Sequence, residues 1–496
     1  MFKKLLYEDF LKLSRKSDRI VYYQEIPADR VTPILAYEAL GTETANGALL
    51  ESAPNDSLNS RYSYICLYPY CKFTVNRHEV TIEENGMARK IELPVVDALR
   101  KTLKTRRSYF DYPLISFVGG AVGFISYDAV RLFESIPDRH VSQKSNPDIL
   151  LKFYKANVIF DHEENRIIIA VLAKVEKDSE KSYKSAVQKA EFIINKICTF
   201  KPQPISSNFY DDKTEHRNLK ITVNIDDESF MAKVRKAKEY ITKGDAFQIV
   251  LSRCFSRSYS VNPFSIYRAL RMTNPSSYMF YLENSNMTII GSSPEKLVSI
   301  ENNIVETYPI AGTRKRGKTT EEDNALAREL LADEKENAEH VMLVDLGRND
   351  IGAVCIPGSV KVKNYKQIRG FSHVMHITSH VEGILRKDKD IFDVLRAVFP
   401  AGTLSGAPKI RAMEIIDELE ESRRGLYGGT VCLIDSKGNF NSCIVIRTAI
   451  LKEGVAHVQS GAGIVHDSDP QLETEETRHK AETVLNAIEL AERGAL

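Results

Sequence analysis

Two pairs of glutamates have a spacing that could do chemistry. Glu336 and Glu339 lie three residues apart in one predicted helix, and Glu473 and Glu476 repeat that spacing in another. Residues three apart on a helix share a face, so each pair presents two carboxylates together. Opposed carboxylates suit Mg²⁺, which binds one or two of them directly and keeps several waters. We therefore expect some of the four to act through water and to leave room for a substrate anion. A solvated helix face is the alternative, because Glu-x-x-Glu is frequent there.

A lone arginine, Arg447, lies among apolar residues in a predicted strand over residues 443–450. It must find an acceptor, and either a bound carboxylate or a structural Asp or Glu would serve. Residues 402–408 lead into a helix with Pro408 in its first turn. Exposed N–H groups at such a helix start attract anions. A further strand is predicted over residues 455–459, broken by the Gly-Ala-Gly of residues 461–463.

Local patterns predict the elements that position these residues. Asp226 has the sequence context of an N-cap for a helix that ends at Gly244. Residues 295–310 form a predicted hairpin around Asn302-Asn303. The glycines of residues 117–125 lack the spacing of a nucleotide-binding loop, so close backbone packing in a sheet is favoured. Residues 199–212 are rich in Pro, Ser and Asn and predict a boundary between domains at 1–205 and 215–496.

Composition describes an ordinary globular chain and excludes several classes. The 496 residues are 43% hydrophobic and 27% charged, and 68 basic against 67 acidic residues leave a net charge of +1. Such a balance gives no reason to expect nucleic acid or a membrane surface as partner. The amino terminus is too polar for a signal peptide. Seven scattered cysteines without a C-x-x-C spacing argue against zinc or disulfides and favour the cytoplasm.

Several longer motifs occur together along the chain. They occupy residues 49–52, 244–250, 274–279, 293–295, 309–314, 345–350, 374–376, 402–409, 427–429, 444–447 and 460–463. In these segments the chain resembles the chorismate-utilising enzymes, and most closely the large subunits (component I) of anthranilate synthases. The resemblance implies an α+β fold, with a β-sandwich of two large, mainly antiparallel sheets flanked by helices. It also implies Mg²⁺-dependent amination of chorismate at ring carbon 2, loss of the ring hydroxyl, and elimination of pyruvate to give anthranilate.

The resemblance assigns roles to individual residues. The metal carboxylates are Glu336, Glu339, Glu473 and Glu476, and His376 is the catalytic histidine beside the ring. Residues that line the reacting ring are Glu295, Thr313 and Thr403, and Gln248 is a further residue of the catalytic set. Residues that bind substrate are Tyr427, Arg447, Gly461, Ala462, Gly463 and Lys480, with the enolpyruvyl carboxylate bound by Tyr427, Arg447 and backbone N–H groups of the glycine segment, where glycine permits a close approach.

Two positions separate close relatives. Isochorismate and salicylate synthases, which add water, have a lysine base where this chain has Gln248, so ammonia is the better nucleophile here. Aminodeoxychorismate synthases typically have Lys where this chain has Ala311, which disfavours amination at carbon 4. The chain has no recognisable amidotransferase motif, so the resemblance implies a separate glutamine amidotransferase subunit in a hetero-oligomer.

The resemblance also implies feedback inhibition by L-tryptophan. The regulatory residues would be Leu50, Glu51 and Ser52 from the first half, with Pro275, Tyr278 and Met279 from the second. Ser277 replaces a proline found in many relatives, which predicts weaker inhibition. The alternatives are the large subunit of aminodeoxychorismate synthase, in the folate pathway, and a tryptophan sensor without catalysis.

Overall fold

A computed structural model describes residues 2–52, 61–110, 112, 118–140, 146–176, 178–202, 220–370 and 374–494. The strands β1 to β22 are, in chain order, Arg19–Pro27, Ala48–Glu51, Tyr62–Asn76, Glu79–Glu84, Met87–Ile91, Ala121–Ile125, Ile149–Asp161, Arg166–Lys174, Thr222–Val223, Gln248–Ser258, Tyr278–Asn284, Met287–Ser293, Lys296–Glu301, Ile304–Thr307, Ile310–Lys315, Lys361–Gly370, Val374–Ile384, Gly406–Ala407, Thr430–Ile434, Phe440–Ile444, Thr448–Lys452 and Val455–Ile464. The helices α1 to α12 are Tyr7–Ser14, Pro33–Leu40, Val95–Thr105, Ser179–Thr199, Asp227–Thr242, Pro263–Thr273, Thr320–Ala332, Glu334–Gly352, Ile391–Val398, Gly402–Ser405, Lys409–Leu419 and Pro470–Glu492.

Two long strands, β3 and β7, are shared by two sheets. They pair along nearly their whole length, with a register shift between Pro69 and Cys71. The first half of β7 pairs with β6 and its second half with β8. Likewise β3 pairs with β2 near its start and with β4 near its end. Because each strand changes partners midway, the described strands form two antiparallel sheets joined at β3 and β7.

The first sheet has the order β1-β8-β7-β3-β2-β11-β12-β21-β22-β10, and β10 also pairs with β9 and β18. The second has the order β5-β4-β3-β7-β6-β19-β20-β13-β14-β17, and β17 also pairs with β15 and β16. In each sheet the strands of the first half of the chain lie together on one side and those of the second half on the other, and the two blocks join where β2 pairs with β11 and where β6 pairs with β19. The domain division at 205–215 stays a prediction, since residues 203–219 lie outside the described part.

Three apolar layers hold the sheets and helices together. Between the sheets, Phe124 and Val431 of the second sheet pack in one cluster with Leu50, Phe280 and Ile289 of the first. The outer face of the first sheet is covered by α1, α2, α4, α6 and α12, and that of the second by α3, α8, α9 and α11. The expected α+β fold, with two large antiparallel sheets flanked by helices, is therefore confirmed. No described helix is both long and apolar enough to cross a membrane.

Three local predictions were confirmed. The Asp226 side chain caps α5 by accepting from the Ser229 N–H, and the helix ends before Gly244, which has φ +85°. Asn302 and Asn303 both have positive φ, as a tight hairpin between β13 and β14 requires. In β6 a Cβ at Gly123 would lie 1.9 Å from the Leu150 carbonyl oxygen, so this glycine serves close backbone packing as predicted.

Three local predictions were wrong. The strand at 443–450 is interrupted, because β20 belongs to the second sheet and β21 to the first, and the chain crosses between them with Arg447 at φ +48°. The strand at 455–459 does not break at the glycines, because β22 pairs with β10 as far as Ile464. Pro408 lies just before the helix that begins at Lys409, and Gly402–Ser405 forms its own helical turn.

Candidate active site

The motif of residues 309–314 lies mostly in β15 and brings two predicted site residues, Thr313 and His376, together. Gly312 has φ +66°, a left-handed conformation that glycine adopts without strain. Its carbonyl oxygen lies 2.8 Å from His376 Nδ1, and Thr313 Oγ1 lies 3.1 Å from the same nitrogen. A carbonyl oxygen can only accept, so Nδ1 carries the proton and the lone pair of the neutral ring is on Nε2. Burial lowers the pKa of His376, with a smaller contribution from Arg447, which favours the neutral ring.

Glu295 and Thr403 form the second part of the site. Thr403, in the helical turn α10, donates from Oγ1 to Glu295 Oε1 at 3.0 Å. Burial raises the pKa of Glu295 to about 7, while the Thr403 hydrogen bond and the charges of Lys480 and Arg447 act in the opposite direction. A carboxyl with a pKa near neutrality can both donate and accept protons, which is what general acid–base catalysis requires.

The hydrogen bond from Thr403 gives a prediction about Glu295 itself. We expect Thr403→Val to raise the pKa of Glu295 by about 0.5 to 1 unit, because it removes a donor that favours the ionised carboxylate. Thr403→Ser keeps the hydroxyl and is expected to leave the pKa unchanged. An NMR pH titration of the carboxyl carbon, assigned with Glu295→Gln, measures the difference. Equal pKa values in Thr403→Val and wild type would show that the bond has no effect.

Arg447 adds a positive charge beside Glu295 and His376, and these three residues define the candidate substrate pocket. Among the residues that the structure describes, its guanidinium has no hydrogen-bond or ion-pair partner, although burial lowers its pKa and Glu295 lies close enough to raise it. A structural Asp or Glu bonded to Arg447, one of the two possibilities left by the sequence, is thus not found in the described chain. A partly buried cation that loses hydration without gaining a partner is costly, so the arrangement favours an anionic ligand.

The glycine segment contributes backbone to the pocket. A Cβ at position 461 would lie 2.6 Å from the Tyr427 hydroxyl oxygen, and one at position 463 would lie 2.8 Å from Gln248 Nε2. Gly461 and Gly463 therefore allow two predicted site residues to approach β22 closely. Ala462 faces the opposite way and packs in an apolar cluster, so it contributes only its backbone to the site.

The four predicted glutamates lie on two helices that converge on this pocket. Burial raises the pKa of Glu339, and Glu336 from its own helix and Glu476 from α12 raise it further. Burial also raises the pKa of Glu473, with a further increase from Glu476. Within the described chain, Glu473 Oε2 is buried without a hydrogen-bond partner. Two crowded carboxylates with raised pKa values and one unsatisfied oxygen fit the donor set of a divalent cation.

The other two glutamates have cationic partners. Glu336 Oε1 lies 3.2 Å from an Arg314 guanidinium nitrogen, and Glu476 Oε1 lies 2.5 Å from Lys480 Nζ. Lys480 also donates to the Gly461 carbonyl oxygen at 3.1 Å. Lys480 thus connects the carboxylate cluster to the glycine segment, and it lies close enough to Glu295 to lower its pKa.

A second set of potential metal ligands lies outside the predicted site. In the described part of the chain, only Glu306, His380 and Glu382 form a set of three whose potential ligand atoms all lie within 4.8 Å of one another. The sequence analysis missed this set, whose signal is the His-x-Glu spacing on one face of β17 opposite Glu306 of β14. Lysines neutralise both carboxylates: Lys363 lies 2.7 Å from Glu382, and Lys296 lies 3.8 Å from Glu306. The charges are balanced, so an ion pair network accounts for this cluster.

The predicted regulatory residues also meet. A cavity of about 240 Å³ is lined by Leu50, Glu51, Ser52, Tyr278 and Met279, together with residues of β3, β19 and β20. Pairing of β2 with β11 places Glu51 opposite Met279. Pro275 precedes β11 and does not line this cavity.

The polar contact predicted for Glu51 is made within the protein. Its carboxylate accepts from the Tyr267 hydroxyl at 2.6 Å and from two Arg271 nitrogens at 3.0 and 3.1 Å. Both partners lie on α6, so a residue that lines this cavity is bonded to a helix of the second half.

Comparison with known proteins bears directly on this site. Residues 49–486 match the sequence profile of the chorismate binding enzymes. The chain belongs to the chorismate-binding enzyme family. It is 45% identical to anthranilate synthase component 1 from Acetivibrio thermocellus over 97% of this chain and 98% of that protein. It is 42% identical to the protein of that name from Aquifex aeolicus, with 98% of each chain covered.

Solved structures of the chorismate-binding enzyme family agree with the fold. Anthranilate synthase component I from Streptococcus pneumoniae superimposes with a TM-score of 0.75 at 37% identity, covering 92% of this chain and 98% of that one. The menaquinone-specific isochorismate synthase from Escherichia coli shares the fold at 19% identity, with a TM-score of 0.69 over 97% of this chain and 98% of that one. The resemblance and the expectation of a chorismate-utilising enzyme are thus confirmed.

Proposed function

We propose that this chain converts chorismate and ammonia into anthranilate and pyruvate, the first step of tryptophan biosynthesis. The observation that carries the proposal is the convergence of three groups. These are a partly buried guanidinium with no partner among the described residues (Arg447), a carboxyl with a pKa of about 7 (Glu295) and a neutral imidazole (His376). Chorismate has two carboxylates and a hydroxyl leaving group, and its conversion needs an anion site, a proton donor and a proton acceptor.

Each group has a role in the proposed reaction. Arg447 binds the enolpyruvyl carboxylate, and the Tyr427 hydroxyl beside Gly461 completes that site. Glu295, whose pKa is raised to about 7 by burial, hands a proton to the departing ring hydroxyl as ammonia bonds to carbon 2. His376 then accepts the ring proton at Nε2 as pyruvate is eliminated. Gln248, a neutral amide on the first residue of β10, cannot activate water as a base would.

The carboxylate cluster would hold Mg²⁺. Glu339 and Glu473 fit direct binding, because their pKa values are raised and one buried oxygen of Glu473 has no hydrogen-bond partner in the described part of the chain. Glu336 and Glu476 already have cationic partners and would act through water, as the coordination habits of Mg²⁺ allow. When bound, the ion supplies a positive charge for the ring carboxylate of chorismate.

A direct assay tests the proposal. Purified chain is mixed with chorismate, MgCl₂ and an ammonium salt, and the products are identified by mass. Anthranilate plus pyruvate supports the proposal. Aminodeoxychorismate, which retains the pyruvyl group, would contradict it. With glutamine as the only nitrogen source, the chain alone is expected to be inactive. Activity that appears when a glutamine amidotransferase subunit is added would support the proposed partner.

We also propose that L-tryptophan binds in the cavity lined by Ser52 and Tyr278 and inhibits the enzyme. Both halves of the chain line this cavity, so a ligand there can favour one arrangement of the two over another. Glu51 lines the cavity and is bonded to Arg271 of α6, so a ligand that shifts Glu51 would also shift a helix of the second half.

Ser52→Phe gives the corresponding prediction. We expect this variant to retain catalysis and to lose inhibition by L-tryptophan, because the added ring fills the cavity. The chain contains no tryptophan, so ligand emission can be followed directly at the red edge of indole absorption. Titrating wild-type protein into L-tryptophan is expected to change that emission, and titrating Ser52→Phe is not. Ser52→Thr, a smaller change, serves as the control. Wild-type activity and emission that are both insensitive to millimolar tryptophan would contradict the regulatory role.

A further inference from the structure

A buried ion pair lies beneath the proposed active site and has no assigned role. Arg424 and Glu420 are 4% and 6% exposed, on the segment between α11 and β19. Arg424 Nε donates to Glu420 Oε2 at 2.9 Å, and a terminal nitrogen donates to Oε1 at 2.6 Å. This two-point contact fixes the plane of the guanidinium.

The remaining donors of Arg424 reach two other segments. One terminal nitrogen donates to the carbonyl oxygen of Leu404, the residue after Thr403, at 2.6 Å. The other donates to the carbonyl oxygen of Val250 at 2.6 Å, two residues after Gln248 on β10. Glu420 Oε1 also accepts from the Ser252 N–H and hydroxyl, both at 2.8 Å, so the pair holds β10 at two points.

The guanidinium also contacts two aromatic rings. Its central carbon lies 5.6 Å from the ring centre of Tyr427 and 4.6 Å from that of Tyr127. Such cation–π contacts orient a ring as well as stabilise it. The hydroxyl of Tyr427 lies against Gly461, so the orientation of this ring sets where the hydroxyl meets the glycine segment.

Stability alone does not account for this arrangement. A buried ion pair often contributes no more to stability than well-packed apolar residues of similar volume, because both charges lose their hydration. Here one side chain bonds two distant segments, at Leu404 and Val250, to its own segment, and each of the three carries a residue of the proposed site. The contacts that Arg424 makes are therefore of the kind that fix relative position.

We propose that Arg424, held by Glu420, is a positioning residue for the reaction, which fixes the turn carrying Thr403, the strand carrying Gln248 and the ring of Tyr427 relative to one another. This inference rests on the proposed function. Arginine is required because its planar fork can serve Glu420 and two carbonyl oxygens at once. A lysine has a single nitrogen and cannot reach all of them.

The proposal has a consequence that a purely structural role would lack. Release of the Leu404 carbonyl would loosen the turn that holds the Thr403 hydroxyl on Glu295. The other charged groups near Glu295, Lys480 and Arg447, would stay in place. Without the Thr403 hydrogen bond the pKa of Glu295 rises, so the part of the pH–rate profile governed by Glu295 moves upward.

The test compares three variants of the full chain. Arg424→Lys removes the fork, and Glu420→Gln, of nearly the same shape, weakens the contact that orients it. Arg423→Lys is the matched control, because Arg423 is the adjacent buried arginine and pairs with Asp138 and Asp148, outside the site. Anthranilate formation is measured against pH with ammonium salt and saturating MgCl₂, and Tm is recorded for each protein.

We expect Arg424→Lys to lower kcat about 10- to 100-fold, the cost of a small misplacement of reacting groups. We also expect the inflection of the pH–rate profile near pH 7 to shift to higher pH by about half a unit or more. Glu420→Gln is expected to show a smaller shift in the same direction. Arg423→Lys is expected to lower Tm while leaving the profile in place.

The outcomes separate the two proposals. If the wild type is active and all three variants keep its pH–rate profile, the positioning role is contradicted and the proposed function is not. An equal profile shift in Arg423→Lys would also contradict it, because any buried arginine would then have the same effect. A wild-type chain that forms no anthranilate would contradict the proposed function and the positioning role with it. If Arg424→Lys does not fold, the profile of Glu420→Gln decides.

Discussion

Glu339→Gln is expected to abolish Mg²⁺-dependent anthranilate formation, with a loss of at least ~10²-fold. Glu339 is a proposed direct ligand, and its carboxylate lies near Glu336 and Glu476, which raise its pKa. An amide there removes one negative charge and one strong donor from the set. A bound divalent ion is typically worth several kcal/mol of charge stabilisation, and each ~1.4 kcal/mol corresponds to a tenfold change in rate.

Glu339→Gln, which is expected to lower activity, is expected to stabilise the metal-free protein. Because the folded-state pKa of Glu339 is raised, the folded protein holds this proton more tightly than the unfolded chain does. The stability of the metal-free protein therefore falls as pH rises from the ordinary carboxyl pKa through the raised one. Glu339→Gln removes this loss. We expect the Tm of the variant to exceed that of wild type without Mg²⁺, by a margin that grows with pH in that window.

The matched control is Glu475→Gln on the same helix as Glu473 and Glu476. Glu475 accepts from Gln471 and lies outside the carboxylate cluster, so its charge is expected not to matter. Mg²⁺ is expected to raise Tm in wild type and in Glu475→Gln, because a ligand that binds only the folded state stabilises it. In Glu339→Gln it is expected to have little effect. Wild-type turnover and an unchanged Mg²⁺ response in Glu339→Gln would remove this residue from the metal site.

Predictions from the sequence succeeded where a few neighbouring residues decide the structure. An Asp before a helix caps it, as Asp226 does, and consecutive asparagines with positive φ close a hairpin. The glutamate pairs belong to this class, because their spacing on a helix is local. That α8 and α12 bring the pairs together is not local, and this expectation came from the resemblance.

Predictions failed where distant segments decide. Arg447 lies in an apolar run that reads as a strand, yet the chain leaves one sheet and enters the other there. The glycines of β22 read as a break, but pairing with β10 extends the strand through them. In each case the partner is more than 150 residues away or in another sheet, which no local pattern reports.

The second large effect concerns His376. We expect His376→Ala to lower the rate of anthranilate formation by ~10²–10⁴-fold, the usual contribution of a general acid or base. The Gly312 carbonyl fixes the proton on Nδ1, so Nε2 is the atom that accepts the ring proton. The loss is expected at ring proton removal and pyruvate elimination, and the aminated intermediate that retains the pyruvyl group is expected to accumulate. Mass analysis of the reaction mixture detects it.

The pH dependence gives an independent check on this role. Burial lowers the pKa of His376, so the ring stays neutral near pH 7 and becomes protonated only as the pH falls below its ordinary value of 6.5. Protonation removes the base, and we expect the rate of pyruvate elimination to fall on this acid side in wild type and not in His376→Ala.

His380→Ala is the matched control, because His380 lies on the same strand and stacks on Tyr308 with ring centres 4.4 Å apart. It also belongs to the compact Glu306–His380–Glu382 set. Near-normal turnover in His380→Ala is therefore expected and would separate that set from catalysis. A wild-type rate of anthranilate release in His376→Ala would contradict the role of His376. A loss in His380→Ala as large as in His376→Ala would point to disruption of β17 as a whole, because removing either histidine of the strand would then have the same effect.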